Sequence, residues 1–174
     1  LSRFLLHRVM HKYDSLWRLH RVHHSATTLT PFTVFRTHPI ESLLYFLRGF
    51  LVFSFVTGIA LWLFRGQLTA LEILGVEAIG FTFNMLFANL RHSHIYLTFG
   101  RLERWIISPA QHQLHHSKTH GHPNYGACFA LWDQLIGSLR KSDPKHLRTP
   151  LEFGLTADES RHPIKESTSV QSYA

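Results

Sequence analysis

The two longest apolar stretches of the sequence have the length of membrane-spanning helices. Residues 43–64 carry one charged residue, Arg48, and residues 68–90 carry two glutamates. Each stretch exceeds the ~20 residues that a helix needs to cross ~30 Å of hydrocarbon. Residues 65–67, between the two stretches, are just long enough for a turn. The pattern therefore predicts a helical hairpin that crosses a membrane twice, with both outer ends on one side.

A buried hairpin in a water-soluble protein is the alternative, and a mean hydropathy of −0.03 for the whole chain permits it. Basic residues at the outer ends of the hairpin favour the membrane, because Lys and Arg accumulate on the cytosolic flanks of membrane segments. We therefore expect the outer ends to lie on the cytosolic side. The two glutamates leave open that the second arm lines a protein interior.

The remaining elements are predicted to be short helices and turns. Residues 1–12 form one helix and residues 16–24 a second, with Asp14 and Ser15 as candidate N-caps. Residues 25–39 are polar, contain two prolines and are predicted to be a loop.

A further helix is predicted to begin at Ser108, because Ser at the N-cap, Pro at N1 and Gln111 at N3 form a capping box. Residues 121–126 form a turn. Residues 141–174 are a polar C-terminal tail that we expect to be disordered after about residue 157. The predicted fold class is all-α.

Histidine is the unusual feature of the composition, with 15 residues against 18 Lys and Arg together. A net charge of +7 raises the question of nucleic-acid binding. The basic residues are dispersed and form no stripe, so we expect no nucleic-acid partner. The single cysteine, Cys128, excludes an internal disulfide and a CxxC zinc site.

The clustered histidines have the spacing of metal ligands on helices. They are His7-x-x-x-His11, His20-x-x-His23-His24, His92-x-His94 and His112-x-x-His115-His116. Helical positions i and i+4 lie on one face, which suits imidazoles that converge on one ion or on a pair. The three histidines of HxxHH fall within an arc of about 100°, whereas those at 92 and 94 lie about 200° apart. The triplets can therefore face one cavity, and only one histidine of the 92/94 pair can do so.

The number of clustered histidines predicts two metal ions. HxxxH and the two HxxHH motifs supply eight ligands and His92 a ninth, whereas one tetrahedral ion takes four or fewer from the protein. The first two clusters can share a site only if the chain bends between residues 12 and 15, because nine helical residues rotate by about 180°. Imidazole ligands suit Fe, Zn, Cu or Ni. No carboxylate lies inside the clusters, which favours oxygen chemistry over hydrolysis.

The ordered set of motifs resembles the fatty acid hydroxylase / sterol desaturase superfamily of membrane-bound histidine-motif oxygenases. The motifs are HRVMH at 7–11, LWRLHRVHHS at 16–25, RTHPIE at 36–41, HQLHHS at 112–117, NYG at 124–126 and WDQLIG at 132–137. Each motif alone is weak, but their order and spacing over about residues 3–140 are specific. We therefore assign residues 1–140 to a fatty acid hydroxylase-like domain.

The resemblance implies a membrane hairpin with a cytosolic helical cap that holds a di-iron centre, with zinc as an alternative metal. The activity implied is O₂-dependent hydroxylation or desaturation of a sterol, fatty acyl or related lipid, with electrons from an external donor such as cytochrome b5 or ferredoxin. The implied ligands are His7, His11, His20, His23, His24, His92, His112, His115 and His116. Asp133 is implied as a catalytic-site residue that accepts the N–H of a ligand imidazole, and a simple helix cap is its alternative role.

The chain departs from the superfamily pattern in two places. Some members have a histidine where this chain has Ala88, and Asn89 or His38 is a candidate replacement. Members also have apolar helices before the first motif, whereas this chain begins at Leu1, so we expect an N-terminally truncated domain. The other histidines are expected not to be ligands, and His120 and His122 are the first candidates for exceptions.

Three alternative functions remain open. A membrane acyl-lipid desaturase uses the same histidine motifs, but the NYG and WDQLIG signatures and the short distances between motifs disfavour it. A non-catalytic metal-binding membrane protein would place ligands along its transmembrane segments, whereas these flank the hairpin. A zinc-dependent hydrolase would need an acid/base carboxylate near the clusters.

Overall fold

The computed structural model describes residues 1–149 and 151–160, and its regular elements are helices. They are α1 (Ser2–Lys12), α2 (Asp14–His24), α3 (Pro39–Leu63), α4 (Ala70–Arg91), α5 (Pro109–His116) and α6 (Leu131–Ile136), with 3₁₀ turns at Pro31–Phe35, Gly100–Arg104 and Pro144–Leu147. Within these ranges extended pairing is limited to isolated bridges. The predicted all-α class is confirmed.

Helices α3 and α4 form the predicted apolar hairpin. They contain 25 and 22 residues, and both are long and apolar enough to cross a membrane. Their apolar side chains are exposed; Phe55 and Leu71 are 69% and 80% accessible. A core helix of a water-soluble protein would bury such side chains. The hairpin surface therefore has to be covered by lipid or by other apolar helices.

A bend at Tyr13 folds α2 back against α1. Tyr13 has extended backbone angles, φ −107° and ψ 128°, between the two helices. The predicted bend is therefore confirmed, but the predicted N-caps are wrong. Asp14 and Ser15 are already helical, so the N-cap of α2 is Tyr13. The side chain of Tyr13 makes no capping hydrogen bond. Helix α3 begins at Pro39, earlier than its apolar pattern, and the side chain of His38 caps it by accepting from the Ile40 amide.

Helix α5 is buried on all sides although it is polar. Each of its eight residues is buried. The predicted capping box is present: the Ser108 hydroxyl accepts from the Gln111 amide, and the Gln111 side chain accepts from the Ser108 amide. A buried helix with three histidines and two glutamines must bind its polar groups elsewhere, because unpaired buried polar groups are unfavourable. This helix leads directly to the candidate site.

The described part of the C-terminal segment packs against the helices. The Trp17 indole N–H donates to the backbone oxygen of Glu159, and Glu159 is 1% exposed. The Ser142 hydroxyl donates to Glu103. The disorder expected after about residue 157 therefore does not include Glu159. Residues 161–174, and with them His162, lie outside the described residues.

Candidate metal centre

The nine predicted ligand histidines lie in two adjacent groups. The five-histidine group contains His7, His11, His20, His24 and His115, and the four-histidine group contains His23, His92, His112 and His116. Within each group the nitrogens that could bind an ion all lie within 4.8 Å of one another. Both HxxHH motifs contribute to both groups. Each motif therefore links the two groups, which the spacing alone did not reveal.

Four helices position these side chains. Helices α1 and α2 meet at the bend, His115 of α5 contacts the rings of His7 and His24, and His92 is the C-cap residue of membrane-length helix α4. His92 is 4% exposed, whereas His94 is exposed and belongs to neither group. The prediction that only one of this pair faces inward is confirmed.

Hydrogen bonds in the five-histidine group leave the Nε2 lone pairs free. His7 Nδ1 lies 2.8 Å from the Tyr125 carbonyl oxygen, and His20 Nδ1 lies 2.7 Å from Glu41 Oε1. These oxygens accept, so each Nδ1 carries the proton in the neutral ring. The two Nε2 atoms face each other at 3.1 Å. Two nitrogens bound to one ion at ~2.1 Å, with angles of 90–109°, lie ~3.0–3.4 Å apart.

The four-histidine group has the same arrangement. His92 Nδ1 donates to the Ala88 carbonyl at 2.7 Å, and His23 Nδ1 lies 3.3 Å from the Arg36 carbonyl. Their Nε2 atoms are 3.0 Å apart, and His92 Nε2 is also 3.0 Å from His112 Nε2. Lone pairs at this separation repel each other, whereas a cation between them would bind both. The donor set therefore fits a metal ion in each group.

Buried nitrogens without a hydrogen-bond partner give independent support for this fit. They are His11 Nε2, both ring nitrogens of His24, His112 Nδ1, His115 Nε2 and His116 Nε2. Buried polar atoms are almost always hydrogen-bonded, so each exception requires an explanation. A bound ion would account for His11 Nε2, His115 Nε2, His116 Nε2 and one nitrogen of His24, because each neutral imidazole offers one lone pair.

Burial keeps these imidazoles neutral. Desolvation lowers the pKa of His20 to about 3 and that of His23 to about 4. Desolvation and neighbouring imidazoles hold the pKa of each of the other seven well below the ordinary value. Neutral imidazole is the form that binds metals. The nine side chains are therefore in their metal-binding state at neutral pH.

Glu41 is a site residue to which the sequence analysis assigned no role. It lies in the first turn of α3, is 2% exposed, and its carboxylate binds His20 Nδ1. Such a carboxylate fixes the ring orientation and makes the ligand nitrogen more basic. The available signal was an acidic residue, in the motif RTHPIE, at the start of an otherwise apolar helix.

Replacing Glu41 by Gln is expected to weaken metal binding by ~10–100-fold, the usual effect of losing a partner of a ligand histidine. Glu41→Ala should weaken it at least as much. Competition with a chromophoric chelator measures the affinity. Glu152→Gln is the matched control, because Glu152 is exposed and accepts from the Lys118 amide through its backbone oxygen. Equal affinities for Glu41→Gln and the unchanged chain would refute the role of Glu41.

The predicted contact between Asp133 and a ligand imidazole is wrong. The Asp133 carboxylate accepts from the amides of Tyr125 and Gly126 and from the Ser138 hydroxyl, at 2.6–2.7 Å. It therefore caps the 125–126 turn and not a ligand ring. The Tyr125 carbonyl in that turn accepts from His7, so Asp133 acts on the site through the backbone. Two of its three partners lie in the preceding turn, which the Trp-Asp motif does not specify.

The NYG motif is explained by the close packing of this turn. Asn124 has a positive φ of 61°, and its side-chain amide donates to the Gln111 carbonyl of α5. A Cβ at Gly126 would lie 2.7 Å from both Asp133 Oδ2 and the Phe129 carbonyl. Only glycine fits without a shift of the turn that holds His7.

Gly126→Ala is therefore expected to destabilise the protein by ~1–3 kcal/mol, as overpacking in a tight site does, and to lower metal content. Thermal unfolding and elemental analysis of the purified variant measure both effects. Gly58→Ala is the control, because a Cβ there meets nothing within 4 Å. It should leave metal content unchanged. A fully metal-loaded Gly126→Ala chain of normal stability would contradict this explanation.

The three additional candidate histidines, at positions 38, 120 and 122, lie outside both groups. His122 is buried beside His11, but its two nitrogens face the His115 carbonyl and Glu159 Oε1. His120 Nδ1 lies 2.6 Å from the Ser117 hydroxyl, and His38 caps α3. Asn89 Oδ1 is buried without a hydrogen-bond partner, and its role as a replacement ligand stays a prediction.

Comparison with known proteins identifies the family to which this arrangement belongs. Residues 1–138 match the fatty acid hydroxylase family, and the chain belongs to that family. No solved structure matches the chain.

Several curated relatives are enzymes of lipids. The chain is 30% identical to ornithine lipid hydroxylase OlsE of Rhizobium tropici over 138 residues, 78% of this chain and 37% of that protein. It is 24% identical to alkylglycerol monooxygenase of Homo sapiens over 163 residues, 92% of this chain and 31% of that protein. It is 29% identical to the Delta(7)-sterol 5(6)-desaturase ERG3B of Gibberella zeae over 175 residues, 97% of this chain and 49% of that protein. The chain thus spans 31–49% of the length of these relatives.

Proposed function

We propose that the chain is the metal-binding part of a membrane-embedded lipid oxygenase, with its nine buried histidines as the ligands of two iron ions. The observation that carries the proposal is the pair of groups in which Nε2 lone pairs face each other at 3.0–3.1 Å. Five and four nitrogens suit two ions better than one. Zinc would occupy the same donors as a substitute.

Two iron ions with neutral ligands would supply O₂ activation and oxidation of an unactivated C–H bond. The protein's own contribution is to hold the nine rings in fixed tautomers and to keep water away from them. Each ring is at most 9% exposed. Exclusion of water protects an oxidation from side reactions.

The donor set supports oxidation over hydrolysis. Among the His, Cys, Asp and Glu side chains of the described residues, the two groups contain only histidine. Glu41 and Glu159 bind His20 and His122 through one carboxylate oxygen each, and the second Glu41 oxygen is buried. A hydrolytic zinc site would require a carboxylate or similar base that is free to act on water.

The hairpin gives the site access to lipid. His92 directly follows membrane-length helix α4, so the histidines lie at one end of the hairpin. A cavity of about 610 Å³ lies between α3 and α4 and is lined largely by apolar side chains. It would admit a hydrocarbon tail from the bilayer. The basic residues at the hairpin's outer ends support a cytosolic location for the metal site, where an external donor such as cytochrome b5 or ferredoxin would deliver electrons.

A labelling experiment with the full-length protein, its lipid and an electron donor tests this function. Hydroxylation inserts one atom of ¹⁸O₂ into a C–H bond and releases the other as water, with two electrons from the donor. Label in a lipid alcohol supports hydroxylation, and a new double bond without label supports desaturation. Lipid turnover that proceeds equally under argon would contradict the oxygenase proposal.

A further inference from the structure

Three arginines lie near the place where the hairpin joins the histidine site. They are Arg3 of α1, Arg48 of α3 and Arg91 of α4, here called the arginine cluster. Arg48 donates to the hydroxyl of Ser2, the neighbour of Arg3, and Arg3 donates to Asn84 of α4, two helical turns before Arg91. The Arg3 guanidinium lies 6.0 Å from the centre of the Tyr45 ring. Like charges gathered in this way repel each other unless an anion lies among them.

The acceptors that the described residues supply to this cluster are neutral, and the nearby carboxylate of Glu41, one helical turn before Tyr45, binds His20 instead. Arg3 donates to the Asn84 side chain, Arg48 to the Ser2 hydroxyl and Arg91 to the Phe87 carbonyl, all neutral acceptors. None of the three arginines forms an ion pair within the described residues.

The guanidinium groups also have N–H donors without a hydrogen-bond partner. A guanidinium has five N–H donors, yet Arg91 is 3% exposed with one hydrogen bond of 3.4 Å. Arg48 Nε is buried without a partner. Buried cations without a counterion are strongly unfavourable. The cluster therefore has the composition of an anion-binding site.

The cluster lies between the hairpin cavity and the histidines. Arg48 and Asn84 line the cavity at its end nearest the metal site. Arg3 is one helical turn from His7, and Arg91 directly precedes His92.

Away from the cluster the cavity is mainly apolar, with Phe53, Val56 and Val76 among its lining residues. Glu72 and Glu77 also line it, but they lie 12 and 7 positions before Asn84, ~18 and ~10 Å along α4 toward the hairpin turn. A cationic end joined to an apolar body is complementary to a lipid with an acidic head group.

We propose that the arginine cluster binds the anionic head group, phosphate or carboxylate, of the lipid substrate. This inference rests on the proposed function and narrows its substrate to acidic lipids. The tail lies in the cavity and runs away from the histidines. The C–H bonds that meet the metal site are therefore those near the head group and not those at the end of the tail.

Binding of defined probes to the purified full-length protein in neutral detergent tests the proposal. The probes are dioleoyl phosphatidic acid, dioleoylglycerol with the same tails, and inorganic phosphate, with bound lipid counted by native mass spectrometry. We expect about one phosphatidic acid per chain, bound at least tenfold more tightly than dioleoylglycerol. Arg48→Gln should weaken phosphatidic acid binding at least tenfold, and Arg48→Lys should weaken it less. Arg65→Gln, at the exposed hairpin turn, is the matched control and should have no effect.

Three results would overturn the proposal. Equal binding of dioleoylglycerol would show that the tail alone is recognised. Displacement of the lipid by inorganic phosphate at an equal concentration would indicate a site for small anions. An equal loss in Arg65→Gln would indicate general attraction between a basic surface and acidic lipid. Metal content and lipid oxidation are measured in the same samples. Protein that binds the lipid as expected but does not oxidise it would count against the proposed function and not against the arginine cluster.

Discussion

A chain with His115 replaced by Ala is expected to lose one of its two metal ions and more than ~100-fold of its lipid oxidation. His115 is fully buried in the five-histidine group, and the Pro123 carbonyl binds its Nδ1 at 2.8 Å. Its Nε2 has no hydrogen-bond partner and is free to bind an ion. Losing an outer partner of a ligand already lowers affinity or activity by ~10–100-fold, so losing the ligand should have a larger effect. Elemental analysis and product analysis of the full-length variant measure both quantities.

Two histidines outside both groups provide controls for this prediction. His94 lies two positions after His92 and faces outward, and His146 belongs to neither group. Their alanine variants should keep both ions and full activity. A His115→Ala chain with two ions and normal turnover would remove this histidine from the site. Loss of metal in His94→Ala would show that surface histidines contribute to the measured count.

Removal of the metal by a chelator is expected to lower the midpoint of thermal unfolding by more than ~10 °C. An ion that binds only the folded chain at ~1,000 times its Kd stabilises the fold by ~4 kcal/mol. For a chain of this size ~1 kcal/mol corresponds to ~2–4 °C, so two ions exceed the stated shift. Without ions, the facing lone pairs and unpartnered nitrogens destabilise the interior. Differential scanning fluorimetry in detergent provides the measurement.

Metal replacement makes this experiment specific. Fe²⁺ or Zn²⁺ should restore the original midpoint, because both bind imidazole nitrogen. Mg²⁺ or Ca²⁺ should not, because these ions prefer oxygen ligands. An unfolding midpoint that is the same before and after chelation would mean that the nine histidines do not stabilise the fold through metal.

The histidine set could be predicted from sequence because its signal is local. HxxxH and HxxHH follow helical periodicity, which places the rings on one face whatever the rest of the chain does. The bend before residue 16 followed from the same geometry. The assignment of His23 to one group and His20 to the other could not be predicted, because it depends on how α2 faces α5 and the end of α4.

The partners of the histidines were harder to predict than the histidines themselves. Carbonyl oxygens of Tyr125, Pro123 and Ala88 accept from His7, His115 and His92. Every residue has a carbonyl, so no residue type marks these positions in the sequence. Asp133 was assigned to an imidazole through the resemblance to the superfamily, and an acidic residue in a motif does not identify the donors that it binds.

The number of ions per chain tests the central claim most directly. Full-length protein purified from iron-supplied cells should contain two metal ions per chain by elemental analysis, with its folded state confirmed by circular dichroism. His92→Ala, which leaves three histidines in its group, should contain one. The unchanged protein is also incubated with Fe²⁺ in the absence of oxygen. If it is folded and then contains one ion or none per chain, the two-metal site is contradicted.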